Sequence, residues 1–391
     1  MIGAGIFTVL APTAQSTGAG LLIGLLVAGF VAFFNASSSA QLARLYPDSG
    51  GTYVYGNKRL NTFWGYMAGW GFIVGKLASC AAIALAFGYY VLPARARLLA
   101  ALAIGGFVVL NYFGIKKTAA VTKVIVSIVG VCLLVIILAA LHAHPSVTNL
   151  RPLIGSHGWY GLLQSAGIWF FAFAGYSRIA TLAEEVIEPK RTIPKAIVIS
   201  LGITLVVYGL VAITALATVG ATTLAGTNAP LLAVVKASGL SLTDVVLLGS
   251  ILATLGSLLS VMTGVSRTLF AMAGDKNMPT PLARVHPKRQ VPYVAEITVG
   301  VILIIVVSLV DLRSAIGFSA FTVLLYYSIT NASAYTLSAQ ERLFPKALSV
   351  LGLVGCLVLA VTLPVESVII GSCVMAVGVV VFLGKRRTFE M

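Results

Sequence analysis

The sequence predicts an all-α polytopic membrane protein of about twelve hydrophobic segments. Three observations predict it. Of 391 residues, 59% are apolar and only 9% are charged, against roughly 25% charged in an ordinary soluble domain. The mean hydropathy is +1.02. The apolar residues gather in runs of about 20, rich in Leu, Ala and Ile, which suits helices across a bilayer better than the short alternating strands of a barrel. So few charges cannot cover a surface in water. Multidomain cytosolic enzymes, disulfide scaffolds and disordered chains are excluded on that ground.

In chain order the segments lie at 2–16, 18–44, 63–92, 97–113, 118–142, 161–185, 195–219, 242–273, 292–310, 314–339, 345–363 and 365–384. The first is too short to span at ~1.5 Å per residue. The chain is therefore expected to start inside its first helix, with the N-terminal part of that helix missing. The net charge of +15 suggests a nucleic-acid protein only until the charges are located. Lys and Arg fall in the connectors. If the connector after the second segment is cytoplasmic, 19 of the 26 lie on the cytoplasmic side and five on the other. That is the positive-inside pattern and not a basic groove. It makes the lipid bilayer, not nucleic acid, the partner, and puts the C-terminus in the cytoplasm of a cell-membrane protein. Cys80, Cys132, Cys356 and Cys373 all fall within apolar runs without a CxxC, and read as small buried packing residues. Small residues four apart, as in Gly71/Gly75 and Gly249/Ala253/Ser257, read as helix-packing faces.

Two segments carry glycine breaks in corresponding places: Gly3-Ala4-Gly5-Ile6-Phe7 in the first and Phe173-Ala174-Gly175-Tyr176 in the sixth. An unwound turn inside a membrane helix is tolerable only where protein or a water-filled cavity satisfies its backbone. Gly5 and Gly175 stand 170 residues and five segments apart, so the two halves would be inverted. Paired broken helices in inverted halves point to the midplane site of a transporter; the bland alternative is glycine-rich packing. A dinucleotide fingerprint fails, because Thr8 stands at its third glycine and no strand precedes it.

With these residues the chain resembles the amino acid–polyamine–organocation permeases. Gly3-Ala4-Gly5-Ile6-Phe7 is similar to their helix 1 motif, and Pro47-Asp48-Ser49-Gly50-Gly51-Thr52-Tyr53 to the loop after helix 2. Phe170-Phe171-Ala172-Phe173-Ala174-Gly175-Tyr176 resembles helix 6. The run Ala183-Glu184-Glu185-Val186 through Pro189, Arg191, Pro194 and Ile197 resembles the connector that follows, and Ser266-Arg267 with Met278-Pro279 resembles helix 8 and its loop. The resemblance implies a leucine-transporter-type fold of five plus five inverted helices. Its first repeat would occupy 1–142, its second 161–339, two extra helices 345–384, and a basic cytoplasmic tail 385–391. It implies amino acid transport.

Under that resemblance, Gly3, Ala4, Gly5 and Ile6 would present freed N–H groups and a positive helix end to a substrate carboxylate. Carbonyls at Phe171, Phe173 and Ala174, beside Gly175, would accept from its ammonium, with Phe173 and Tyr176 as aromatic walls. Glu184, Glu185 and Arg191 would sit at a cytoplasmic gate, unless they form only a solvated charge cluster.

Cationic members of the family carry a helix 5 lysine in place of a sodium ion. Here that position aligns with Val129, and Lys123 lies six residues earlier, near the surface. Lys76, mid-segment in the third helix, and Arg178, just beyond the second break, are the intramembrane charges. Such residues are functional hypotheses by default. Lys76 is expected to couple a proton or to stand as a fixed cation; the alternative is a lysine snorkelling to an interface. None of the eleven acids lies mid-membrane in the first five segments, whereas a cationic side chain in a dry site wants a carboxylate.

The expected function is therefore secondary transport of amino acids by alternating access, with neutral substrates favoured. A cationic or acidic amino acid or polyamine exchanger of the same fold, and a non-transporting amino acid sensor, are the alternatives. An integral membrane enzyme would need clustered His, Asp or Cys, but His142, His144, His157 and His286 lie at segment ends and in loops, and no zinc spacing, nucleophile elbow or P-loop occurs. No cofactor or metal is expected, and the coupling ion, H+ or Na+, is left open.

Overall fold

The computed structural model describes residues 2–47, 50–114, 119–155, 157–176 and 188–389. These residues form helices and no strand. The chain starts with the four-residue α1 (Gly5–Thr8) and, after Val9, α2 (Leu10–Thr17). It reverses at Gly18, whose φ of +63° suits a residue without a Cβ, and returns as α3 (Leu21–Leu45). The continuous apolar stretch Leu10–Leu45 is thus a hairpin and not one span.

A short surface helix, α4 (Thr52–Arg59), leads into the 30-residue α5 (Thr62–Val91). Next come α6 (Ala96–Tyr112), α7 (Ala119–His142) and α8 (Gly158–Phe173). The second half holds α9 (Pro189–Ala225), kinked at Gly220, and the short α10 (Pro230–Ala237). It continues with α11 (Thr243–Gly274), α12 (Tyr293–Leu309) and α13 (Leu312–Tyr335). Two last helices follow, α14 (Lys346–Thr362) and α15 (Val365–Phe389). Among the described residues eight stretches are long and apolar enough to cross a membrane, and α12 and α14 are shorter apolar helices.

Both halves contribute to each packed group. Helices α2, α3, α8 and α9 pack on one another, and so do α5, α6, α11 and α12. Helix α13 lies between, against α5, α3 and α8, while α14 and α15 cover it from outside. Outward faces are apolar: Leu98, Leu102 and Val109 on α6, and Val131, Leu134 and Leu138 on α7, are exposed. A soluble protein does not leave such continuous faces in water.

Lipid gives helices no hydrophobic drive to associate, so close backbone approach and polar ties do that work. Ser79 on α5 and Ser319 on α13 share a hydrogen bond of 2.6 Å. Asn35 on α3 accepts at 2.5 Å from Asn331 on α13 and donates at 3.1 Å to the Cys356 thiol on α14. The cysteines therefore need two corrections. Cys356 is a polar partner and not merely small packing, and Cys373 is exposed, because α15 is a peripheral helix that packs by one face.

Candidate substrate site

The two glycine breaks meet. The chain enters α1 from an irregular stretch at residues 2–4, and α8 stops at Phe173 after sixteen residues, short of a full span. Ala174–Tyr176 continue as a single 3₁₀ turn. A Cβ at Gly5 would fall 2.7 Å from both Cα and Cβ of Ala172. The two broken helices therefore cross at this pair, and only a glycine permits the approach. Gly5 was expected to open on a ligand; its bare face is instead pressed against α8.

The freed groups of the first break are partly engaged. The Ala4 N–H donates to Ser257 Oγ of α11 at 3.1 Å. The amides of Gly5 and Ile6 come next in the first turn, where an α-helix has no internal acceptor, and have no partner among the described residues. Thr8 closes the other side by donating to the Gly5 carbonyl at 2.8 Å. Gly3 faces the Tyr208 hydroxyl of α9 through its backbone. Tyr90 of α5 donates to the Phe7 carbonyl at 3.1 Å and stacks edge-on to the Phe7 ring, centroids 5.7 Å apart. Ala4 and Ile6 are fully buried.

Aromatic rings line the second break. Phe173 is buried against Tyr208, centroids 5.7 Å apart, Phe170 against Tyr327 at 5.6 Å, and Trp169 donates to the Leu21 carbonyl at 3.0 Å. Phe171 is half-buried and Gly175 exposed. Lys76 is only 7% exposed, and its Nζ donates to the Ala174 carbonyl at 3.4 Å. It is thus not a snorkelling lysine: its head lies on the carbonyl that ends α8. Val129 is buried and Lys123 exposed, so the described part of α7 brings no lysine inward.

Of the charged gate expected from Glu184, Glu185 and Arg191, the structure describes Arg191 alone. Arg178, Glu184 and Glu185 lie outside the described residues, as does the Tyr176 side chain. Arg191 is an exposed first-turn residue of α9 whose amide donates to the Glu188 carbonyl at 3.0 Å. A different charged tie stands at the α4 end. Arg59 makes a bidentate pair with Glu341, at 3.2 and 2.9 Å, and Arg44 of α3 donates to the Glu341 carbonyl at 3.0 Å. Tyr53 of α4 donates to Asp275 at 2.6 Å and accepts from Asn277 at 2.7 Å. At the opposite end Arg313 of α13 donates to the Ala225 carbonyl at 2.6 Å and also to Gln15 of α2. Two cavities open there, of about 620 and 410 Å³, sharing Gln15 and His157.

Sequence reasoning missed Ser257, Tyr208 and Arg59. Ser257 was counted as a packing residue of the Gly249/Ala253/Ser257 face; its spacing was a true signal with a second meaning. Nothing local marks Tyr208 or Arg59, whose partners stand far off in the chain.

Comparison with known proteins gives a consistent picture. The amino acid permease family profile matches residues 1–383. A transporter of Mycobacterium tuberculosis whose function is uncharacterised is 51% identical over 391 residues, covering 99% of this chain and 88% of that protein. A branched-chain amino acid permease of Bacillus subtilis is 27% identical over 373 residues, covering 89% and 80%. A cationic amino acid transporter of mouse is 26% identical over 373 residues, covering 89% and 59%.

Proposed function

Because the chain belongs to the amino acid permease family, within the amino acid–polyamine–organocation superfamily, we propose that it moves neutral amino acids across the cell membrane by alternating access. The observation that carries this is the meeting of the two broken helices at Gly5 and Ala172. The positive first turn of α1 and the carbonyl end of α8 converge on one place. An α-amino acid has the matching polarity, with its carboxylate on the Gly5 and Ile6 amides and its ammonium towards the carbonyls of Phe171, Phe173 and Ala174. Gly3, Ala4, Gly175 and Tyr176 complete the proposed contact set.

The relatives' names divide between branched-chain and cationic substrates. Neutral substrates are favoured by the chain's own charges. The described acids lie at helix ends and in loops, as with Asp244, Asp275, Asp311 and Glu341, or are hydrogen-bonded near a helix start, as with Glu296. Lys76, at the second break, is the coupling candidate, for a proton or as a fixed cation. In this reading residues 1–142 and 161–339 are inverted repeats, and the α4 end and the C-terminus face the cytoplasm, as the Lys and Arg distribution favours.

The test is a thermal-shift screen of the twenty amino acids on purified protein, followed by counterflow in proteoliposomes. Ligand binding to the native state raises the melting temperature by linkage. Neutral amino acids are expected to stabilise the protein and to exchange. Binding without exchange would make it a sensor, and stabilisation by lysine or arginine alone would overturn the neutral assignment.

A further inference from the structure

Lys76 is a buried cation on a membrane helix, with its head on the carbonyl that ends α8. Helix α5 packs on α1, α11 and α13, so its inward face borders the crossing of the broken helices. Its flanks are pinned to α13: Ser79 is bonded to Ser319 at 2.6 Å, and a Cβ on Gly75 would collide with Thr322. Side chains on so fixed a backbone are held in place. From there Lys76 reaches the Ala174 carbonyl at 3.4 Å. That carbonyl caps the negative end of the α8 dipole, which favours a positive charge. It is also one of the groups that the proposed site offers to a cation.

We propose that Lys76 sets the charge class of the substrate, excluding amino acids with a cationic side chain by holding its own ammonium at the Ala174 carbonyl. The inference rests on the reading of the α1–α8 crossing as the amino acid site. The carboxylates of the helices packed against α5 are committed elsewhere or stand at helix ends. Glu296 accepts from Ser266 and Asn111, Asp275 from Tyr53, and Glu341 from Arg59. Asp311 caps α13, and Asp244 and Glu366 stand in the first turns of α11 and α15. Among the described residues no acid pairs with Lys76. Cys80 stands one turn along α5. With the Ala174 carbonyl held by Lys76, the α-ammonium of a substrate is left the Phe171 and Phe173 carbonyls, and the second cation of a lysine-like side chain that turns to the carbonyl end of α8 would meet this fixed cation. Two like charges about 6 Å apart at the effective dielectric of a protein interior cost on the order of a hundredfold in affinity.

The probes are lysine and norleucine, which share a side-chain skeleton and differ in the terminal ammonium. Binding of each, which needs no turnover, is measured by titrated thermal shift on the purified wild type, Lys76→Met and Lys76→Arg. The wild type is expected to prefer norleucine over lysine by about a hundredfold. Lys76→Met should narrow that ratio at least tenfold while still binding norleucine, and Lys76→Arg should keep it. A wild type that binds lysine as well as norleucine overturns the proposal without any variant. So does a Lys76→Met protein that binds norleucine with the ratio unchanged. A wild type stabilised by none of the twenty amino acids instead overturns the site reading, and this inference falls with it.

Discussion

Arg59 and Glu341 form a bidentate ion pair, at 3.2 and 2.9 Å, that ties the surface helix α4 to the loop after α13. The same arginine donates to the Thr336 carbonyl at 3.0 Å, and Arg44 brings α3 to the Glu341 backbone. Two neighbouring helices of the first half therefore converge on one acidic residue of the second.

This pair gives a pH prediction. Arg59 and the Ser338 amide hold the Glu341 carboxyl down at about 2, against an ordinary value of about 4.3. A depressed carboxylate contributes stability that is present above the unfolded value and is lost as pH falls through the folded one. The melting temperature of the wild type should exceed that of Glu341→Gln at pH 6. The gap should shrink between about pH 4.3 and pH 2. A gap independent of pH over that window would mean that the ion pair adds nothing.

Gly5 and Ala172 give a packing prediction. A Cβ at residue 5 meets Ala172 at 2.7 Å from both Cα and Cβ. Gly5→Ala should cost about 1–3 kcal/mol as overpacking, and Gly5→Leu should abolish ligand-induced stabilisation. Adding Ala172→Gly to Gly5→Ala should restore the loss only in part, because the backbone of residue 172 still stands in the way of the new methyl group. Full restoration, read by thermal melting of the double variant, would place the crossing elsewhere.

Lys76→Met should change the pH dependence of transport more than the affinity for a neutral substrate. The lysine head lies on the carbonyl that ends α8, so either a proton moves on and off it during the cycle or its fixed charge tunes the groups that titrate. Flux against pH in proteoliposomes, wild type beside variant, decides the matter. Superimposable curves would remove Lys76 from coupling.

Glu296 on α12 accepts from Ser266 Oγ at 2.6 Å and from Asn111 Nδ2 at 3.0 Å, joining α12 to α11 and α6. Glu296→Leu removes both acceptor oxygens and leaves the Asn111 amide without this partner. A buried polar group left unpaired costs about 1–3 kcal/mol. Thermal melting should therefore show a loss for Glu296→Leu, and Asn111→Ala in the Leu background should add less than it does in the wild type. Independent effects would show that the two residues do not interact.

The fold class and the bounds of most membrane helices, within a few residues, were legible in the sequence because both follow from local quantities; the short α4 and α10 were not, and α8 ends at Phe173 where the apolar segment runs to 185. A bilayer requires about 20 apolar residues per span, and helices close their own hydrogen bonds. The glycine breaks were legible for the same reason, since Gly3, Gly5 and Gly175 weaken helix locally. Even the depth of Lys76 could be counted from the start of its segment.

What these residues touch follows from the packing of the whole bundle. Gly5 meets Ala172, Ser257 receives the Ala4 amide, and Lys76 reaches the Ala174 carbonyl, across separations of 167, 253 and 98 residues. Each pairing depends on which helix face turns towards which neighbour. In lipid that choice is made by close packing and a few polar ties summed over the whole bundle. No single segment encodes the sum, which is why Ser257 read as mere packing and Arg59 as one connector charge among many. The chain's composition placed it in the membrane; the crossing of α1 with α8 gave it a site.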